Sequence, residues 1–300
     1  MSIARAILLK ASRSKWLAEQ FRKRKFAKLA VKRFMPGEDA GSALDAAAEF
    51  ARGGIGTLLT ELGEQIENVA EAQQVRDEYF ELLDQIRERK LPTHVSAKPT
   101  HLGMTLDPAF CRDAYVALAK RAAEIGSFVW IDMEESWYVD QTLQLFRDIH
   151  AAGQRVGLAM QSYLYRTPKD VESLLPLKPT IRLVKGAYNE SPEVAFPKKA
   201  DTDRAYVEIA MQLFDGGAHL VAGTHDMAIV DELRRRTGTV EGWEVHMLYG
   251  IKSGEQRALA AQGLTVKVLI SYGDHWFPWY VRRLAERPAN VWFVVKNMWG

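Results

Sequence analysis

Arg282 and Arg283 stand side by side in a segment that opens at Pro278 and closes at Pro288, with Glu286 four residues after Arg282. Two adjacent guanidinium groups suit one carboxylate, because each presents planar N–H donors that meet its two oxygens in a bidentate fashion. Pro278 fits the first turn of a helix and Pro288 ends it, which leaves about three turns, and Glu286 is placed to orient Arg282 through an i,i+4 pair. Taken alone, the segment fits a solvated helical face with one ion pair better than an anion site. What decides between them is the set of elements that must position it.

Those elements have a rhythm. Past the turn signal Met35-Pro36-Gly37-Glu38, short runs rich in β-branched residues alternate with longer segments of helical periodicity, the pattern of successive β-α units. The runs are Gly56 to Glu61, His94 to Lys98, Phe128 to Asp132, Val156 to Gln161, Ile181 to Gly186, Leu220 to Thr224, Trp243 to Leu248 and Val266 to Ser271. Eight runs without an intervening linker predict one closed (β/α)8 barrel over residues 51–300. An amino-terminal helical arm (residues 1–50) precedes it, and the Pro278 to Pro288 helix lies across its mouth. Gly53-Gly54-Ile55-Gly56 lacks the last glycine of a dinucleotide fingerprint and precedes a strand, so it reads as a loop.

Barrel chemistry sits at the carboxyl ends of the strands, and here those ends are polar. Glu61 and Glu64 follow the first run, Lys98 ends the second, Asp132 with Glu134 the third, and Gln161 the fourth. Lys185 with Tyr188 ends the fifth, Thr224, His225 and Asp226 the sixth, and His246 with Tyr249 the seventh. Each alone also fits a rim salt bridge. Together they point to a site, since a buried polar group without a partner costs a few kcal/mol.

Composition narrows the partners. An apolar fraction of 47% with 26% charged residues suits a chain with a large core. Cys111 is the single cysteine, so no internal disulfide or Cys-rich metal site can form, and it reads as a small buried thiol on a helix. The seven histidines show neither H-x-x-x-H nor H-x-H spacing, and no metal site is expected. Apolar stretches are too short to span a bilayer and no signal-peptide pattern opens the chain, so a cytoplasmic protein is expected.

Charge is uneven. Residues 1–33 hold eleven Lys or Arg against Glu19 alone, so +10 sits there and −8 in the remainder, giving the net +2. Ile7, Leu8, Trp16, Leu17 and Phe21 recur among those charges at helical intervals. A basic arm packed on the barrel is the favoured reading, ahead of an amphipathic helix peripheral on an anionic membrane or an Arg-rich transit segment. Nucleic-acid binding is disfavoured, because beyond this arm the chain is net acidic.

Trp279 to Pro288 resembles the Y-x-x-R-R-x-x-E-R-P signature of the proline dehydrogenase family. Leu62-Gly63-Glu64, Lys98, Ile131-Asp132-Met133-Glu134, Gln161-Ser162-Tyr163, Arg182-Leu183-Val184-Lys185-Gly186-Ala187-Tyr188 and Gly223-Thr224-His225-Asp226 resemble its other blocks, in the same order. The resemblance implies FAD-dependent oxidation of L-proline to Δ1-pyrroline-5-carboxylate. FAD would meet Met133, Gln161, Lys185, Gly186, Ala187, Thr224 and His225, with Arg182 near flavin N5. Lys98, Arg282 and Arg283 would hold the substrate carboxylate, Asp132 would orient the amine and Lys98, Tyr188 would shape the ring pocket, and Glu64 would gate it by pairing with Arg282. A quinone in a membrane is the acceptor the family implies, which offers the basic arm a role. The family usually has tyrosine where this chain has Leu269 and Trp279, so hydroxyproline, pipecolate or N-methylproline stand beside L-proline as substrates. Two other classes remain: an aldolase-like barrel with Lys185 as Schiff-base lysine, and a barrel that binds without catalysis.

Overall fold

The computed structural model describes residues 31–63 and 66–276, and in it the apolar runs form parallel strands closed into one barrel. They are β1 (Gly56–Glu61), β2 (Thr93–Ala97), β3 (Val129–Ile131), β4 (Gly157–Gln161), β5 (Thr180–Val184), β6 (His219–Gly223), β7 (Trp243–Leu248) and β8 (Thr265–Tyr272). Each strand pairs with the next, and β8 returns to β1 with Leu58 beside Leu269 and Thr60 beside Ser271. This is the (β/α)8 barrel the sequence predicts. Strand bounds agree with the runs to within two residues, and those of β1 and β7 coincide with them.

Ahead of β1 runs α1 (Ala40–Arg52), and between successive strands run α2 (Val69–Glu88), α3 (Pro108–Glu124), α4 (Val139–Ala151), α5 (Thr167–Leu174), α6 (Lys199–Asp215), α7 (Met227–Thr237) and α8 (Ser253–Ala261). Local chemistry starts several of them. Asp39 accepts from the Ser42 amide at 2.7 Å and Asn68 from the Glu71 amide at 3.0 Å, while Asp107 caps α3 ahead of Pro108 in its first turn. α1 buries Ala43, Leu44 and Ala47 and packs on β1 and β8. No helix among the described residues is long and apolar enough to cross a membrane.

Most of the core lies between helices and the outer face of the barrel; a smaller cluster of Leu58, Trp130 and Val221 fills its interior, with Phe128 and Leu269 against it. Buried tyrosines then fix the strand ends that carry the site. Tyr79 donates to the Ser96 carbonyl at 2.9 Å, Tyr115 to Ala97 at 2.8 Å and Tyr206 to Leu183 at 2.7 Å. Each hydroxyl anchors a helix to β2 or β5, and burial pushes all three phenols well above their usual range. Cys111 is buried on α3, as expected, and burial raises its thiol pKa as well.

Residues 1–30, 64–65 and 277–300 lie outside the described residues. The expected basic arm, the mouth-crossing helix, Glu64, Trp279, Arg282 and Arg283 therefore fall there wholly or in the main.

Candidate active site

Strand parity decides which polar residues enter the barrel, since side chains alternate between its two faces. Ser96 and Lys98 share one face of β2 and its extension, Trp130 and Asp132 do the same on β3, and Arg182 projects from β5. Arg182 donates through Nη2 to Ser96 Oγ at 3.1 Å and to Asp132 Oδ1, while Ser96 Oγ donates to the same carboxylate oxygen at 2.8 Å. The guanidinium carbon stands 4.9 Å from the centroid of the Trp130 ring. Arg182 is only 5% exposed, and burial pulls its pKa down against the raising effect of Asp132. A buried charge is tolerable here because it is paired, hydrogen-bonded and laid on an aromatic face.

Several inward atoms remain unused. Arg182 Nη1, Gln161 Oε1 and Ser271 Oγ are buried and have no hydrogen-bond partner among the described residues. A donor, an acceptor and a hydroxyl held at one end of the barrel suit a polar planar ligand that accepts from the guanidinium. Gln161 is fixed through its other end, donating from Nε2 to the Glu134 carbonyl at 3.2 Å. Glu134 itself is spent on structure: its oxygens accept from the Thr100 amide at 3.0 Å and hydroxyl at 2.6 Å.

Around this centre, Lys98 donates to the Gly63 carbonyl at 3.2 Å, which ties it to the loop leading to Glu64. Asp132 thus spends its hydrogen bonds on Arg182 and Ser96, whereas the expectation from resemblance gave it Lys98. Met133 is buried in the main core. Gly186 has φ +117, and a Cβ there would lie 2.3 Å from the Tyr163 ring, so the turn through Ala187 and Tyr188 requires glycine. Thr224 is buried and accepts from the Asp226 amide at 3.1 Å, and His225 Nε2 accepts from the Leu248 amide at 2.8 Å, which puts the ring proton on Nδ1.

Lys185 turns the other way. Its ammonium donates to Asp203 at 2.5 Å and Asp226 at 2.7 Å, carboxylates that also hold Lys199. Burial raises the Asp226 carboxyl, but the two lysines outweigh it and hold it near 2. This is the geometry of a structural cation rather than of a Schiff-base nucleophile.

His246 is not on the rim. It is buried in mid-strand, edge-on to Trp130 with centroids 5.2 Å apart, because the third residue from the end of β7 points into the barrel. Below it, Glu244 is held by Lys267, by His219 at 3.1 Å and by His246 at 3.2 Å. Burial alone would raise the Glu244 carboxyl, yet these partners keep it far below its usual range. Sequence reasoning missed Ser96, Trp130 and this net. A signal existed for the first two, which precede Lys98 and Asp132 by two residues and so share their face.

Residues 43–296 match the family model described as proline dehydrogenase. Proline dehydrogenase 2 of Bacillus subtilis (strain 168) is 33% identical over 276 residues, 91% of each chain. Proline dehydrogenase of Deinococcus radiodurans is 36% identical and covers 98% of this chain and 97% of its own. Among solved structures, proline utilization A of Bdellovibrio bacteriovorus inactivated by N-propargylglycine superposes with TM-score 0.78 at 22% identity, over 86% of this chain and 32% of that much longer one. That last likeness concerns the fold.

Proposed function

The chain belongs to the proline dehydrogenase family, and from that premise we propose that it oxidises L-proline to Δ1-pyrroline-5-carboxylate with FAD as its cofactor. The observation that carries this reading is Arg182. One Nη is committed to Ser96 and Asp132, and the other is buried inside the barrel with no partner among the described residues.

FAD, when bound, supplies the two-electron acceptor for the hydride that leaves the ring carbon next to nitrogen. Gln161, Met133, Thr224, His225 and the turn from Lys185 through Gly186 to Ala187 would cradle it. Arg182 presents a fixed positive donor where negative charge develops, electrostatic preorganisation of the kind that lowers barriers most. Lys98, Arg282 and Arg283 would take the carboxylate, Tyr188 would border the ring, and Glu64 would close over them by pairing with Arg282. A secondary amine releases hydride only when unprotonated, and this cationic surrounding disfavours its ammonium form. Asp132 holds Arg182 in place and would orient the amine. A membrane quinone as final acceptor fits the same reading, with the basic amino-terminal arm as the contact.

Leu269 packs down on the interior cluster with Leu58, Trp130 and Val221, so at this position the substrate side carries no hydroxyl. Hydroxyproline, pipecolate and N-methylproline therefore belong in the same assay.

The test is direct. The purified protein is expected to show a flavin band in the visible, and L-proline added without oxygen should bleach it. A colourless protein that takes up no added FAD sinks the proposal, and borohydride trapping of a keto substrate on Lys185 would put the aldolase-like reading in its place.

A further inference from the structure

The interior of this barrel holds a feature the reaction above does not use directly. Trp130 is 2% exposed and lies beneath Arg182, with the guanidinium carbon 4.9 Å from its ring centroid. Its indole N–H donates to His94 Nδ1 at 3.3 Å. His246 meets it edge-on, and Phe128 does the same from below with centroids 5.6 Å apart. The remaining side is closed by backbone: a Cβ on Gly157 would come within 2.3 Å of Trp130 Cε3, so β4 approaches the indole as only glycine allows. Together these contacts crowd one ring from several sides.

The histidines that hold it are neutral donors and acceptors. Burial drives His246 down to about 3, against the raising pull of Glu244, and burial drives His94 to about 4 with the Lys267 charge acting in the same sense. Each ring therefore keeps one bare nitrogen. On His94 it receives the indole N–H; on His246 the other nitrogen carries the proton toward Glu244.

We propose that Trp130 is the positioning residue of this active site: wedged between His94, His246 and Gly157, it fixes the plane of the Arg182 guanidinium and thereby aims Nη1. Asp132 and Ser96 both hold Nη2, which leaves the guanidinium free to rock about that end. A flat aromatic face below it removes that freedom. The inference rests on the proposed role of Arg182 and adds the reason that Nη1, without a partner among the described residues, keeps one direction.

The experiment compares Trp130→Met, which keeps apolar volume but has no ring face, with Trp130→Phe, which restores the face without the N–H. In the holoenzyme, Trp130→Met is expected to lower kcat for proline about 10-fold with KM within about 3-fold, and Trp130→Phe to recover most of the loss. A second readout needs neither flavin nor turnover. Nitrogen-15 NMR of the arginine guanidinium groups, with the Arg182 signals identified by their loss in Arg182→Lys, should resolve separate slowly rotating Nη signals in the wild type and in Trp130→Phe. In Trp130→Met they should average. If Trp130→Met does not fold, Gly157→Ala tests the same point by pushing the ring aside while leaving Trp130, Arg182 and Asp132 in the sequence. Wild-type kcat together with unaveraged Arg182 signals, in whichever of these two variants folds, overturns the proposal. A wild type that binds no flavin and oxidises no proline refutes the function instead, and the NMR comparison still decides the positioning claim.

Discussion

The two ends of the barrel interior are both polar, yet they are built differently. At the carboxyl end, Arg182 Nη1, Gln161 Oε1 and Ser271 Oγ are buried with no partner among the described residues. Toward the amino end, Glu244 gathers Lys267, His219 and His246 onto its two oxygens, so that the charges close on themselves and His246 Nδ1 is the atom of this net left without a partner among the described residues. An unpaired buried polar atom costs stability, whereas in a closed ion-pair net mutual attraction offsets the cost of desolvation, and opening the net leaves a buried charge uncompensated. The difference separates a surface kept ready for a ligand from one that holds the strands together.

The comparison breaks if function and stability do not divide along it. The largest effect is expected at the mouth: Arg182→Met should lower kcat about 1,000-fold, measured by steady-state proline oxidation, since it removes a preorganised donor at the reacting centre. A loss under 10-fold would deny Arg182 that place. The next effect is expected at the other end, where Glu244→Gln leaves the Lys267 charge without its partner. It should cost about 3 kcal/mol in urea unfolding. Stability equal to wild type would mean that the net carries no strand-holding energy.

A smaller, pH-dependent effect sharpens the contrast. His246 near 3 and His94 near 4 compare with about 6.5 for histidine in an unfolded chain. Between about pH 6.5 and 4 the unfolded chain therefore binds protons that the folded one refuses, so stability falls as pH falls, by up to about 1.4 kcal/mol per pH unit for each histidine. Glu61, pushed up to about 8 first by burial and then by Glu78, works in the opposite sense. Its protonated folded form gains stability as pH drops from about 8 toward 4.5. His246→Gln should flatten the histidine-driven slope by one residue's share, read from urea midpoints at pH 4.5 to 6.5. An unchanged slope would show that His246 is charged in the folded protein.

The fold was legible because a parallel barrel writes its strands as continuous apolar runs, each bounded by turns and long amphipathic segments. Even β3, the shortest strand, lies inside the expected Phe128 to Asp132 run. Asp132 was legible as a polar residue at the end of such a run, whereas Arg182, in the middle of β5, came only from the family resemblance. Direction was not. Lys185 and His246 each occupy a plausible position along the chain, but a one-residue change of parity sends Lys185 to the outer helices, and two further residues of strand beyond His246 put it below the rim. Trp130 in an apolar run looks like ordinary core, and only the register across β3 and β4 sets it against Gly157. The Glu244 net needed the same knowledge across β6, β7 and β8, which no single run of sequence contains.

The pairing of β8 with β1 has a consequence for how the molecule is made. The strands that seal the ring come from opposite ends of the described chain, so a nascent polypeptide emerging from the ribosome carries two bare sheet edges until Val266 to Tyr272 has left the exit tunnel. Every earlier stage is an open, sticky ribbon whose edges invite pairing with another chain. Closure waits on the most distant contact in the barrel, a slow step by its topology. Chaperone demand during synthesis should therefore depend on the last strand more than on any other, and a premature stop before β8 should yield aggregate rather than a smaller barrel.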